Sequence, residues 1–257
     1  MKPEKRIAYF RVYSYLNDLI HKQKRYKRFP IEYRGRQSVK HLFESSGIPH
    51  TEVELVLVNG QSVDFCYIAQ EQDRVSVFPH FSRLKVPDSP CMQQKGPDEM
   101  RFAADGHLGQ LARFLRMLGY DTFYDNEIDD EVLAAISYDE NRILLTRDRG
   151  LLMRKSIRFG CLVRYREPIQ QLQQVVHRYG LMALTSPFSR CMVCNGCLSS
   201  VPKEKVLDEL EPKTKKYFNA FKQCDSCGKI YWAGSHRQHM GRFIEDLHKQ
   251  FDQYENV

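Results

Sequence analysis

Hydrophobic and polar positions change rhythm twice along the chain. RIAYFRVY (6–13) and FPIEYRGR (29–36) are β-rich runs. Ser38 opens VKHLFESSG, which places Val39, Leu42 and Phe43 on one face and stops at Gly47, so a short helix is predicted. VELVLVNGQSV (53–63) is two β-branched runs joined across Asn59-Gly60, a hairpin signal, and DRVSVFPHF (73–81) supplies a last strand. Residues 1–83 therefore read as a small α+β unit.

Residues 84–99 (LKVPDSPCMQQKGPDE) carry three prolines and little apolar content, which is linker composition. From 100 onward short strands alternate with helices. MRFAAD leads into a helix from His107 to Leu118, with Leu108, Leu111, Ala112, Leu115 and Leu118 at helical spacing and Gly119 as its stop. Strand 121–125, helix 129–139, strand 142–146, a helix near 149–156 and strand 159–165 follow, then an amphipathic helix over 167–180. Alternation of this kind predicts βαβ units and a parallel sheet. The expected domains are 1–83, the linker, an α/β domain over 100–188, and a cysteine module with a C-terminal helix over 189–257.

In an open α/β sheet, ligands bind beyond the carboxyl ends of the strands. The residues found there are Asp105, Asp125 and Asp148, with Asp129 and Asp130 opening the next helix. Two carboxylates 4 Å apart repel by about 4 kcal/mol at an effective dielectric near 20, so such a rim calls for a divalent cation or for protonation. Oxygen donors favour Mg²⁺ or Mn²⁺, an ion that activates water and stabilises charge on a phosphodiester. Arg113, Arg147 and Arg149 are candidates to hold substrate phosphates. Taken singly, each aspartate reads as a helix cap before a ligand, and Asp125, in DNEIDD, as part of a polar loop; only a sheet order that converges them favours a metal site.

Charge and cysteines sharpen the picture. The chain has 257 residues, and Lys and Arg exceed Asp and Glu by 39 to 32, a net +7 that suits a polyanionic partner such as nucleic acid, although many soluble proteins are as basic without one. HKQKRYKRF (21–29) groups five cations around Tyr26, a run that follows a phosphate backbone or simply faces solvent. No apolar run suggests a signal peptide or a membrane helix, so a cytoplasmic protein is expected. Five of the eight cysteines crowd into CMVCNGC (191–197) and CDSC (224–227). Cys191, Cys194, Cys224 and Cys227 form two knuckles fit for a structural zinc, separated by KEKVLDELEPKTKKYFNAF, which reads as a helical insertion. Cys197 either presents a third thiol in CMVCNGC or lies just past the knuckle as a spare. In the following YWAGSHRQHMGRF, Tyr231 and Trp232 offer stacking surfaces, and His236 and Arg237 contacts to RNA. The alternative packs Trp232 under the ribbon, with Ser235 and Gln238 as a capping box for helix 236–250.

RFAADGHLGQLARFLRMLGYDT, DDEVLAAI and RILLTRDRGLL (101–152), continued by SRCMVCNGCL and CDSCGKIYWAGSH, resemble the RNase domain named after the C-terminus of the mut-seven exonuclease, a branch of the PIN-like nucleases. Residues 6–81 resemble the ubiquitin-like β-grasp domain often fused ahead of it. The resemblance implies a PIN-like α/β fold and metal-dependent hydrolysis of RNA, with the family's acids falling on Asp105, Asp130 (or Asp129) and Asp148. His107 stands where an apolar residue is expected, and Gly150 replaces a second acid after Thr146-x-Asp148, which thins the acidic set. No Gly-Gly tail follows Phe81, so sulfur-carrier chemistry is not expected of the β-grasp domain; it is expected to dock RNA, a protein or the ribosome. Two other functions compete with a ribonuclease: a non-catalytic RNA- or ribosome-binding protein on a degenerate nuclease scaffold, and an adaptor acting through the β-grasp domain.

Overall fold

The computed structural model describes residues 4–80, 97, 99–234, 240–247 and 249. The expected linker over 84–99 and the Ser235–Gln238 capping box lie almost wholly outside them. The chain divides into two compact units, Met1–Glu99 with Asp129–Val163, and Met100–Ile128 with Arg164–Val257.

In the first unit, strand alternation sets the core. β1 (Lys5–Val12) turns Ala8, Phe10 and Val12 inward, and β2 (Phe29–Arg34) turns Phe29, Ile31 and Tyr33 to the same side. Helix α1 (Val39–Ser45) is capped by Ser38, whose side chain accepts from His41 N, and it lays Val39, Leu42 and Phe43 on that apolar face. β3 (Val53–Val58) turns back into β4 (Gln61–Ser62) through Asn59 and Gly60 at φ 52° and 87°, the left-handed pair a tight hairpin needs. With β5 (Arg74–Pro79) the sheet order is β2-β1-β5-β3-β4; β1 and β5 are parallel and the other pairs antiparallel. This is a ubiquitin-like β-grasp domain.

The same unit contains α3 (Asp130–Asp139), β8 (Ile143–Thr146), α4 (Arg149–Leu152) and β9 (Gly160–Leu162). All four residues of β8 are buried, as its unbroken apolar run requires, and β9 pairs with it in parallel. α4 closes after four residues rather than extending to 156, because the chain must turn at Met153 and Arg154 to enter β9. The β-grasp domain closes on this segment through buried polar contacts. Glu52, fully buried, accepts from Leu162 N at 2.8 Å. His50 spans Glu44 Oε1 (2.8 Å) and Ile157 O (2.9 Å) with its two ring nitrogens. Arg149 Nη1 donates to Leu19 O at 2.7 Å.

In the second unit, β6 (Phe102–Ala104) pairs in parallel with β7 (Thr122–Tyr124), and α2 (Gly109–Met117) crosses between them. Every pairing seen among β6 to β9 is thus parallel, the mark of an α/β domain. The helix expected from His107 begins instead as a 3-10 turn, Gly106–Leu108. The α2 stripe of Leu111, Ala112 and Leu115 packs against α5 (Pro168–Tyr179), whose Leu172, Val175 and Val176 are buried. The cysteine module is an antiparallel meander, β10 (Leu198–Val201), β11 (Phe221–Cys224) and β12 (Ile230–Trp232). Its insertion is three short pieces, α6 (Lys203–Val206), a 3-10 turn (Leu207–Glu209) and α7 (Pro212–Tyr217), because Pro212 cannot continue a helix but opens one well. Val206, Leu210 and Phe221 form the core under the meander, with Trp232 packed against it.

Candidate functional site

Asp105 leaves β6 as the cap of the 3-10 turn, its Oδ1 accepting from His107 N at 3.1 Å. Two glycines keep this turn tight. Tyr124 OH donates to Gly106 O at 3.0 Å, and a Cβ on Gly109 would stand 2.6 Å from that hydroxyl. His107 is exposed on the turn.

Asp129 occupies the cap position of α3, yet its side chain makes no capping bond; Asp130 and Glu131 fill the first helical turn. Asp129 and Asp130 are both exposed. Asp125 is a polar-loop residue, its Oδ1 accepting from Glu127 N at 3.0 Å.

After β8, Thr146 Oγ1 accepts from Asp148 N at 2.9 Å, and Asp148 Oδ1 accepts from Gly150 N at 2.7 Å. A Cβ at Gly150 would lie 3.2 Å from that same oxygen, so the glycine leaves room for the Asp148 turn. Capping uses one oxygen of a carboxylate and a carboxylate has two, so cap and metal ligand are compatible roles. Arg147 is exposed, and Arg149 reaches Leu19 O with one of its five N–H donors. Arg113 is exposed on α2, and His236 lies outside the described residues.

Cys191, Cys194, Cys224 and Cys227 come together, their sulfurs all within 4.8 Å of one another. These four side chains form a group of candidate metal ligands close enough to share an ion. Cys191 and Cys227 are 3.7 Å apart and Cys194 and Cys224 3.3 Å. Four sulfurs at about 2.3 Å from a tetrahedral zinc would be about 3.8 Å apart, so the donor set fits that metal. Burial raises the Cys191 thiol, but bonds from Tyr231 OH and from the Cys194 and Val193 backbone outweigh it and bring the thiol down to about 6. Burial, with hydrogen bonds to the neighbouring Cys224, Cys227 and Cys191 sulfurs adding to it and the Gly196 backbone opposing, pushes the Cys194 thiol up. Gly196 is obligatory at the first knuckle, where a Cβ would meet Ser226 Oγ at 2.5 Å and Cys224 Sγ at 2.9 Å. Cys197 is exposed and stands outside the tetrad.

Tyr231, one of the two candidate stacking surfaces, also serves the knuckle, its hydroxyl 3.1 Å from Cys191 Sγ and accepting from Met192 N. The first knuckle is bound to the α/β part of its own unit. Arg116, buried at 3% exposure, donates to Thr122 O and Val193 O, while Asn195 bridges Thr122 N and Asp121. A cleft of about 580 Å³ opens beside the ribbon, with Phe188, Phe221, Tyr231 and Trp232 in its walls and Arg113, Arg190 and Lys229 among its cations. The cleft leaves no signal in the sequence, since its walls come from separate segments without a shared period.

The β-grasp, parallel α/β and cysteine-ribbon folds define an α/β protein with an accessory ubiquitin-like module and a four-cysteine cluster of zinc-ribbon type. The chain belongs to the Mut7-C RNAse domain family, which it matches over residues 100–244, and residues 5–85 match the Mut7-C ubiquitin domain. Membership points to a nuclease. No curated protein and no solved structure matches the chain. Among the described residues, no helix is long and apolar enough to cross a membrane.

Proposed function

We propose that the chain is a cytoplasmic, Mg²⁺- or Mn²⁺-dependent ribonuclease, with Asp105, Asp130 (assisted by Asp129) and Asp148 as ligands of the catalytic ion. The observation that carries this reading is the family match, joined to where the acids stand: Asp105 and Asp148 leave parallel strands and Asp129 and Asp130 head a helix. Hard carboxylate oxygens suit such an ion, which when bound supplies an activated water and neutralises phosphate charge. The chain's own part is positional. Gly150 N and His107 N each fix one oxygen of Asp148 and Asp105, so neither carboxylate swings freely. Arg147, Arg149 and Arg113 hold RNA phosphates through charge-assisted bonds. The four cysteines hold a structural zinc that locks the ribbon.

The test is cleavage of a panel of single-stranded and structured RNAs with added Mn²⁺ or Mg²⁺, wild type beside Asp148→Asn. Asparagine keeps the oxygen that accepts from Gly150 N, so fold and zinc content should persist while cutting falls by at least a hundredfold. Equal cutting by the variant sinks the assignment.

A second reading is favoured by the aromatic and cationic cleft beside the ribbon: an RNA- or ribosome-binding protein without turnover. It expects salt-sensitive RNA binding that survives Asp148→Asn and no metal-dependent cutting by either protein.

A further inference from the structure

The excursion between β1 and β2 is built to hold one residue in an unfavourable conformation. Tyr26 sits at φ 59°, where a bulky side chain is strained, and the residue is 70% exposed. Neither feature serves the core. Asn17, only 2% exposed, keeps Tyr26 in place: its side chain donates to Val12 O and Ser14 O and accepts from Tyr26 N at 2.6 Å. Arg25 ties the turn further by donating to Ile20 O and Asp18 O, and Lys24 lies over the Phe29 ring. Lys22, Lys27 and Arg28 are left exposed around Tyr26, while the neighbouring acid, Asp18, lies 3.9 Å from Arg25.

The excursion is also fastened to the strand end that carries Asp148. Arg149, the next residue, donates to Leu19 O, two residues before the loop begins. Gly47, at φ +95°, leaves the space for this bond, since a Cβ there would stand 3.1 Å from Leu19 O.

We propose that loop 21–28 is a docking arm for single-stranded RNA, in which Tyr26 stacks on one base and Lys22, Lys27 and Arg28 hold the adjoining phosphates, with Arg149 fixing the arm beside Asp148. An aromatic face among cations selects a polyanion with exposed rings, which an unpaired RNA strand is and a duplex or an acidic peptide is not. The assignment rests on the ribonuclease reading for the meaning of Asp148, but binding is measured without turnover.

The experiment is fluorescence anisotropy of a labelled ten-nucleotide RNA, and of an RNA duplex, with the full chain carrying Asp148→Asn over a series of salt concentrations. Tyr26→Ala should weaken single-strand binding by about tenfold, within the range base stacking supplies, and leave the salt slope unchanged. Tyr26→Phe should retain affinity. Tyr26→Gly, which relieves the strained φ, should bind as weakly as Tyr26→Ala while melting no lower than wild type, separating ring from fold. Replacing Lys22, Lys27 and Arg28 together by Ala should flatten the log–log salt slope by roughly 2. Unchanged affinity in Tyr26→Ala, equal weakening on duplex, or competition by polyglutamate as strong as by RNA each overturns the proposal. If Asp148→Asn still cuts RNA, the assignment of Asp148 as a ligand of the catalytic ion fails, while the binding results still decide the arm.

Discussion

Replacing Glu52 by alanine removes an acceptor shared by segments more than a hundred residues apart. The carboxylate is fully buried, taking Leu162 N at 2.8 Å on one oxygen and Tyr15 OH at 2.9 Å on the other. A buried donor deprived of its acceptor costs about 1–3 kcal/mol, and bonds to a charged acceptor stand at the upper end. The Tyr15 hydroxyl can turn elsewhere, but the Leu162 amide is fixed in β9, and the void left by the side chain adds a cost of the same sign. The expected loss for Glu52→Ala is therefore about 2–4 kcal/mol. Glu52→Gln keeps an amide oxygen for Leu162 N and should lose about 1 kcal/mol. Urea titration reads the stability, and amide exchange at Leu162 reads the contact itself, where protection should fall by roughly 30- to 1,000-fold in the alanine variant. An unchanged urea midpoint in Glu52→Ala, with Leu162 protection as in wild type, would refute the claim that this carboxylate joins the β-grasp domain to β9.

Tyr120, 6% exposed, donates its hydroxyl to Leu181 O, and burial pushes its phenol from 10 up to about 12. The protonated phenol is thus favoured in the fold, so its contribution is complete below pH 10 and fades as the pH climbs towards about 12, in total about 2–3 kcal/mol. Tyr120→Phe should flatten that alkaline limb, read by thermal melts from pH 8 to 12. Cys224→Ser should take zinc content from about one ion per chain towards zero, by elemental analysis, and acidification should release zinc from wild type because each thiolate regains a proton. Gly109→Ala sets a methyl 2.6 Å from the Tyr124 hydroxyl and should cost about 1–3 kcal/mol while lowering RNA cleavage, with Tyr124→Phe in the same chain restoring part of both.

Short-range physics made much of this molecule legible. Ser38 caps α1 and Asn59-Gly60 turns the hairpin, because both depend on bonds within a few residues. The α2 stripe lies buried and Gly119 ends that helix at φ +97°, as the 3.6-residue period and a left-handed stop require. The four zinc-type cysteines were legible because knuckle spacing is a local geometric demand. Where local signals compete, reading failed by a turn. The His107 start of α2 gave way to a 3-10 segment, as Asp105 caps the chain before a full α-turn forms. Asp129 holds a cap position without capping, which composition could not reveal.

The sequence by itself determined the β-grasp and α/β elements, the cysteine tetrad and the identity of the acids at the strand ends, since periodicity, caps and knuckles act over a handful of residues. Only the tertiary structure decided which polar groups would meet across long separations. Arg149, a candidate phosphate ligand by its position, also holds Leu19 O; the Tyr231 hydroxyl meets Cys191; and Glu52, in a stretch without any motif, takes the amide of Leu162. Such pairings leave no period in the chain, because they arise from the path of the backbone and from the cost of burying a polar group without a partner.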